Sequence, residues 1–600
     1  MTLIRYTIEA LGVALTISGA HGSVVPPRTF NVGQQVNTTS GIIRGHAAAT
    51  RSEVSEYLGI PFAQPPIGDL RFAAPEPYRS SLPFNASSYG LMCMSNAGNP
   101  DYSVLTAAGF NLTPIAEDYL NTIQGQGNAM GEDCLTLNVW TKPQVGEKAK
   151  AVLFFIHGGG FQGGSSHNPF LTGQYFADDE DVVVISTNYR TNVFGFPGLQ
   201  PSIANVEPNA GLLDQRLAIE WARDNVAAFG GDPKRITLFG QSAGSTSIST
   251  YAYAYADDPI AHGLITQSGT ADSFGTPATD STASFAAVAT VLGCNTTTTT
   301  TPEGLAAAVS CIRAHPASAV SAAAAQVPPT TSALGTFAPT ADNKTAFAEY
   351  ATLTQAGSFA RLPRLHGSNA QDGNSFAIDF ALLGLVLPRA YWAWHTLAFF
   401  GCPTAETADA LAIATGSATP HVPVPAWRYV YAADYPNLRL AVDPSLGAYH
   451  GAELNTLFGT SEALGGPDTP AEAATGRYMR AAWAAFAKDP VGGLVGEGFG
   501  WPALPVPVDE AEEGSCEEDA QVVVLGLGNA TEAVFQPSSA WDSNCTAVMG
   551  VLEALGGVGG LLMLAPFVGQ VLEGIDDGDV VAVGEALLAA AQAAAGAASS

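Results

Sequence analysis

Cationic side chains are scarce. The 600 residues carry 24 Lys and Arg against 54 Asp and Glu, a formal net charge of −30. A surface of that sign repels phosphate backbones, so nucleic acid is excluded as a partner. No Cys/His run has zinc-ligand spacing and no P-loop occurs, so neither a metal nor an organic cofactor is expected. A membrane helix needs about 20 consecutive apolar residues. The apolar stretch from Ala554 to Val568 is shorter, glycine-rich and bracketed by Glu553 and Glu573. Asp576, Asp577, Asp579 and Glu585 interrupt the chain beyond it, which fits a lipid-anchor signal poorly. There is no convincing internal repeat.

The chain is otherwise largely apolar. Hydrophobic residues make up 47% and charged ones only 13%, enough for a large core in several domains or one elaborate α/β domain. Residues 1–20 read as a secretory signal peptide. Arg5 supplies a small positive region, Leu11–Ile17 is mostly apolar, and Ser18-Gly19-Ala20 offers a cleavage site. A buried N-terminal strand is the alternative. Glycosylation sequons at Asn37, Asn85, Asn111, Asn295, Asn343, Asn529 and Asn544 agree with secretion. The 7 cysteines would there form three bridges and leave one thiol. The main domain is expected over 21–545. The Gly/Ala-rich residues 546–600 read as a mobile or loosely packed extension. Thr296–Thr301 and the Ala-rich stretch 321–325 read as surface insertions.

Three apolar runs read as buried parallel strands: Ala151–Ile156, Val182–Ser186 and Arg235–Phe239. Leu264–Gln267 is a fourth, and Leu212–Ala222 has helical apolar spacing. Strands alternating with helices predict a mostly parallel, doubly wound α/β sheet with helices on both faces. Functional groups in such sheets gather at the carboxyl ends of the strands.

Two motifs sit at those ends. Gly240-Gln-Ser-Ala-Gly244 follows the third strand and precedes a small, hydroxyl-rich stretch. It reads as a nucleophile elbow that exposes the Ser242 hydroxyl on a sharp strand-to-helix turn. His157-Gly-Gly-Gly-Phe161 ends the first strand. Acyl transfer passes through a tetrahedral oxyanion that backbone N–H groups stabilise, and one lost donor typically costs about 3 kcal/mol. A glycine triplet paired with a serine elbow makes a two-part oxyanion hole, with Gly159, Gly160 and Ala243 as donors.

The chain resembles a type-B carboxylesterase/lipase, the family of the cholinesterases and fungal lipases. The matching segments run through most of 40–490. They include Leu58–Phe72, Glu132–Val139, Asn188-Tyr-Arg190, Val193–Phe196, Asn209–Gln215 and Phe229–Pro233. The resemblance implies an α/β-hydrolase fold and a secreted carboxylic ester hydrolase that works through an acyl-enzyme. Alternatives are an interfacially activated triacylglycerol lipase or sterol esterase and, from another class, a catalytically inactive binding or adhesion relative.

Chain order in this fold is serine, acid, histidine, which excludes His21, His46, His157 and His167. Gly447–Leu454 resembles the family's catalytic-histidine segment, so His450 is the expected base. Gly367–Gly373 resembles the acid segment and places Asp372 where relatives carry glutamate, with Asp379 the nearest substitute. From Asp372 to His450 is 450 − 372 = 78 positions. That is short for the family and implies that a helical part of the acyl-pocket wall is missing. His395 is expected to pack in the core.

The resemblance also implies disulfides Cys93–Cys134 and Cys294–Cys311. Cys516 with Cys545 is then the remaining expectation, leaving Cys402 free. The loop closed by Cys93–Cys134 reads either as a lipase-type lid or as a fixed surface loop. Residues 94–133 contain no Trp and position 241 is a neutral Gln, so choline esters are disfavoured as substrates. Arg44 is expected to pair with Glu132, and Ser268 to support the site from a neighbouring strand. The expected partner is a small-molecule or lipid ester, with transient contact to a lipid interface.

Overall fold

The computed structural model describes residues 31–598, apart from 96–99, 144–148, 200–202, 204, 275–276, 278–280, 295–300, 329–335, 414–423, 506–519, 556, 558–567, 569–570, 573 and 577. Residues 1–20 and Cys516 therefore lie outside the described residues, as does nearly all of the Thr296–Thr301 run.

An 11-stranded mixed sheet forms the centre, with helices on both faces. In chain order its strands are β1 (His46–Ala47), β2 (Ser55–Pro61), β3 (Thr136–Thr141), β4 (Lys150–Ile156), β5 (Val183–Thr187) and β6 (Gly231–Gln241), then β7 (Gly263–Gln267), β8 (Arg364–Asn369), β9 (Ala426–Tyr431), β10 (Gln521–Leu525) and β11 (Val534–Pro537). The spatial order is β11-β10-β9-β8-β7-β6-β4-β5-β3-β2-β1. Pairing is parallel from β10 through β5, and the antiparallel pairs lie at the two edges. All four strands expected from apolar runs are present.

Both faces of the central strands are buried, which is why those strands read as unbroken apolar runs. Leu153, Phe155, Phe239 and Ile265 enter one core; Val152, Phe154, Ile156, Leu238 and Leu264 enter the other. The helices used below are α1 (Ser103–Ala107), α2 (Ala116–Ile123), α3 (Ala210–Asn225), α4 (Ala243–Ala254), α5 (Phe376–Leu382), α6 (Arg389–Thr396), α7 (Cys402–Ile413), α8 (Cys545–Ala554) and α9 (Val580–Ala598). Among the described residues no helix is long and apolar enough to cross a membrane.

Four expectations need correction. Cys402, not Cys516, pairs with Cys545; Cys402 opens α7, which brings its Cα within 5.3 Å of that of Cys545. Spacing along a chain carries no information on which cysteines meet. Glu132 is held by Arg71, whose Nε and Nη2 donate at 2.7 and 2.6 Å, while Arg44 is exposed. Arg71 Nη1 also donates to the carbonyls of Ile312 and His315, a spread of partners that needs the tertiary fold. The Ala-rich stretch belongs to a helix, Ala317–Ala324, that buries Val320, Ala323 and Ala324 in the core. Finally, the described part of the C-terminal extension is packed. Val583 and Leu587 on α9 are fully buried in the same core as Phe155 and Phe239. The disulfides Cys93–Cys134 and Cys294–Cys311 are present.

Candidate active site

Strand register brings the site together. Gly240 on β6 lies opposite Ile156 on β4 and Thr266 on β7, and Thr266 lies opposite His366 on β8. These four residues form a row across the sheet. The chain leaving that row carries the Gly triplet from β4, Ser242 from β6, Ser268 from β7 and Asp372 from β8.

Ser242 sits between β6 and α4 at φ 57° and ψ −126°. A side chain at positive φ is strained and must be held by its surroundings. The Ser242 N–H donates to the Gln267 carbonyl at 2.8 Å, and the Thr246 N–H donates to the Ser242 carbonyl at 2.9 Å. Close approach explains the neighbouring glycines. A Cβ on Gly244 would overlap the Ile156 carbonyl. One on Gly158 would stand 2.9 Å from the Ser242 Cβ, so the triplet lies directly against the elbow. Gly159 and Gly160 both take positive φ, at 112° and 59°, turning the loop over the serine. Ala243 opens α4, where backbone N–H groups have no partner within the helix.

His450 and Asp372 meet as the chain order implied. The His450 Nδ1–H donates to Asp372 Oδ1 at 2.8 Å. The second carboxylate oxygen accepts from Ser268 Oγ at 2.9 Å and from the Asn369 N–H at 2.6 Å. Asp372 is completely buried. It follows β8 and opens a short turn whose Gly373 N–H donates to Thr396 Oγ1 on α6. With aspartate in place of glutamate, those fixed bonds bring the shorter side chain to the ring. Asp379, the alternative acid, is exposed on α5. The Nδ1–H bond leaves Nε2 with a lone pair. Here that lone pair accepts from the Gln241 side-chain amide at 3.1 Å, and among the described residues Ser242 makes no hydrogen bond to the ring. Serine–histidine bonds are often loose before substrate binds.

Glu453, Phe376 and Phe400 at the site had no signal in the sequence. Glu453 is fully buried, accepting from Asn369 Nδ2 at 2.6 Å and Gln267 Nε2 at 3.2 Å. Burial pushes its carboxyl up to about 7. Asn369 therefore links Glu453 to the Asp372 loop. His157 lies beneath the Gly triplet, stacked on Tyr189 at 4.4 Å, and burial lowers it to about 4, so it is neutral at pH 7. The rings of Phe376 and Phe400 lie 5.2 and 4.8 Å from the His450 ring. His395 does pack in the core, with Phe399 at 4.4 Å, and burial lowers it to about 3.

The loop closed by Cys93–Cys134 is docked beside the site. Asn111–Leu112 pairs with Ala441–Asp443, and Tyr119 on α2 stacks on Phe170 and meets Tyr449 edge-on, both at 5.9 Å. A cavity of about 550 Å³ opens between this loop, the turn after Asp372 and α6. Phe110, Asn374, Trp392, Ala393, Leu446 and Val580 line it. Among the described residues one cluster has metal-ligand proximity, Cys294, Cys311 and His315, but its two sulfurs are joined in a disulfide.

The model of the family described as "Carboxylesterase family" matches residues 32–382. A chlorogenic acid esterase of Aspergillus niger is 34% identical over 78% of this chain and 85% of its own. Secreted lipase 5 of Gibberella zeae is 31% identical over 84% and 93%. The acetylcholinesterase of Electrophorus electricus is 40% identical over a shorter stretch, 36% of this chain and 32% of its own. A solved PNB esterase superimposes with a TM-score of 0.67 at 25% identity, covering 86% of this chain and 99% of that one.

Proposed function

This chain belongs to the carboxylesterase family, and on that premise we propose that Ser242 is its nucleophile, His450 its base and Asp372 the carboxylate that orients the histidine. Family membership makes it a serine-type carboxylic ester hydrolase acting through an acyl-enzyme. The observation that carries the residue assignment is the 2.8 Å bond from His450 Nδ1–H to Asp372 in register with the Ser242 elbow.

Asp372 fixes the tautomer with its proton on Nδ1, so Nε2 can take the serine proton. Gln241 occupies that lone pair at rest, and Ser242 displaces it as the hydroxyl turns to attack. The ester carbonyl carbon accepts Ser242 Oγ. The resulting oxyanion is met by N–H groups of Gly159, Gly160 and Ala243. His450 then protonates the leaving alcohol, and water repeats the sequence on the acyl-enzyme.

The substrate is a small-molecule or lipid ester, as the names of the two fungal relatives suggest. Neither Ser242 nor His450 lines the 550 Å³ cavity beside the Asp372 turn, so it is a seat only for the far end of a long apolar group. The strand pair at Asn111–Leu112 and the stacked Tyr119 support a docked wall for the 94–133 loop over a swinging lid. Exposed Leu383 and Val386 support transient contact with lipid. Three disulfides and a secreted relative support an extracellular location.

The test is hydrolysis of p-nitrophenyl esters of increasing acyl length, above and below their solubility limits, beside Ser242→Ala and His450→Ala. Both variants are expected to lose at least about 10³-fold in kcat. Activity retained by Ser242→Ala would overturn the assignment, and a jump in rate at the solubility limit would restore the lid.

A further inference from the structure

His450 needs more than Asp372 to keep its ring in plane. Once Ser242 displaces Gln241 from Nε2, the Asp372 bond at Nδ1 remains, and one such bond leaves the ring free to tilt. The structure opposes this tilt with rings. Phe376 and Phe400 stack on each other at 5.8 Å, and both touch the His450 ring. Phe376 follows Asp372 closely in the chain and opens α5. Phe400 is different. It lies in a π-helical turn, Leu397–Gly401, between α6 and α7. Such turns are rare single-turn bulges in α-helices, frequent at functional sites.

Two holds come from the end of the chain. Cys402, two residues after Phe400, is bonded to Cys545, the first residue of α8. α8 packs directly on the π turn and on α9, and α9 packs on α6. The crossing of the last helices is close. A Cβ on Gly584 of α9 would stand 2.9 Å from Val551 Cγ2 on α8 and 3.5 Å from Trp394 Nε1 on α6. Val583 and Leu587, on the same stripe of α9 as Gly584, are fully buried.

We propose that the C-terminal helices α8 and α9, with the Cys402–Cys545 bond, form a brace that positions Phe400 against His450. This rests on the reading of His450 as the base. Phe400 and the two cysteines are positioning residues; none has a proton to give. Loosening the brace lowers turnover because the base spends less time in plane. Leu397 of the π turn and Val580 of α9 also line the cavity beside the Asp372 turn, so KM is expected to hold only for an acyl group too short to reach it, such as butyryl.

A double-mutant cycle tests this on full-length protein with p-nitrophenyl butyrate. The variants are Cys402→Ala with Cys545→Ala, Phe400→Leu, and all three together. Folding is checked by circular dichroism and thermal melting. The disulfide-free protein is expected to lose about tenfold in kcat with KM within about twofold. Phe400→Leu should lose a similar amount, and the combination should be no slower than the slower parent, because groups acting through one another are not additive. Phe400→Tyr, which keeps the ring, should restore most of the rate. Losses that multiply to about a hundredfold, or a disulfide-free enzyme with wild-type kcat, would overturn the proposal. Should the cysteine variant not fold, Gly584→Leu, which keeps the disulfide and separates the helices, replaces it in the same cycle. His450→Ala is run alongside: activity surviving that change removes the base assignment itself, whatever the brace variants do.

Discussion

At the scale of single residues, the site depends on buried groups with exact partners and few spares. Ser268 Oγ gives Asp372 Oδ2 one of its two hydrogen bonds. Ser268→Ala deletes that donor and leaves a buried lone pair, a loss of roughly 1–3 kcal/mol. Steady-state kinetics should show kcat/KM down by about tenfold, with Ser268→Thr recovering part of it. Glu453 gives a pH-dependent counterpart. Its folded pKa of about 7 lies above the ordinary 4.5, so the native state binds the proton more tightly than the unfolded chain. Its contribution is therefore fully present below pH 4.5 and is lost as pH rises through about 7. The change is on the order of 3 kcal/mol across that window. Glu453→Gln, uncharged at every pH, should flatten the fall in stability between pH 5 and 8 in urea titrations. A mutant whose slope matches wild type would place the titrating group elsewhere.

At the scale of elements, the parallel strands were legible because burial on both faces leaves an apolar run without alternation. Ala151–Ile156 and Leu264–Gln267 are recognisable for that reason. The elbow and Gly triplet were legible because backbone crowding permits only glycine at 244 and 158. The features that escaped the sequence depend on which elements meet. The expected Arg44–Glu132 pair fails because folding leaves Arg44 in solvent and brings Arg71 to Glu132 instead. Cys402 meets Cys545 because α8 packs on the π turn that Cys402 follows, a fact with no local sequence signature. Glu453, Phe376 and Phe400 are ordinary core letters until folding puts His450 beside them. The helix α6 offers a test at this scale. Ala393→Trp fills the cavity beside the Asp372 turn. Rates on octanoyl and longer esters should fall at least about fivefold relative to acetate esters, a difference that one filled pocket can supply. An equal loss on every ester would mean the cavity does not hold the acyl chain.

At the scale of the whole molecule, charge and covalent closure dominate. A net charge of −30 on one chain repels itself over the surface, and salt screens that repulsion within about 10 Å at 0.1 M. Calorimetry should therefore find the melting temperature rising as NaCl goes from about 20 to 200 mM. A fall would mean that local pairs such as Arg190–Asp214 and Arg71–Glu132 outweigh the global repulsion.

The Cys402–Cys545 bond closes a loop of sequence separation 143 that contains β9, His450 and β10. A protease that cuts the backbone once anywhere inside that loop releases nothing: the two pieces remain one molecule, with His450 still tied to the half that carries Ser242. Nicked enzyme should run as a single band until a reductant is added, and only then separate into two. The bond thus acts as a molecular safety catch, tolerating a scission that would dismantle an unlinked fold.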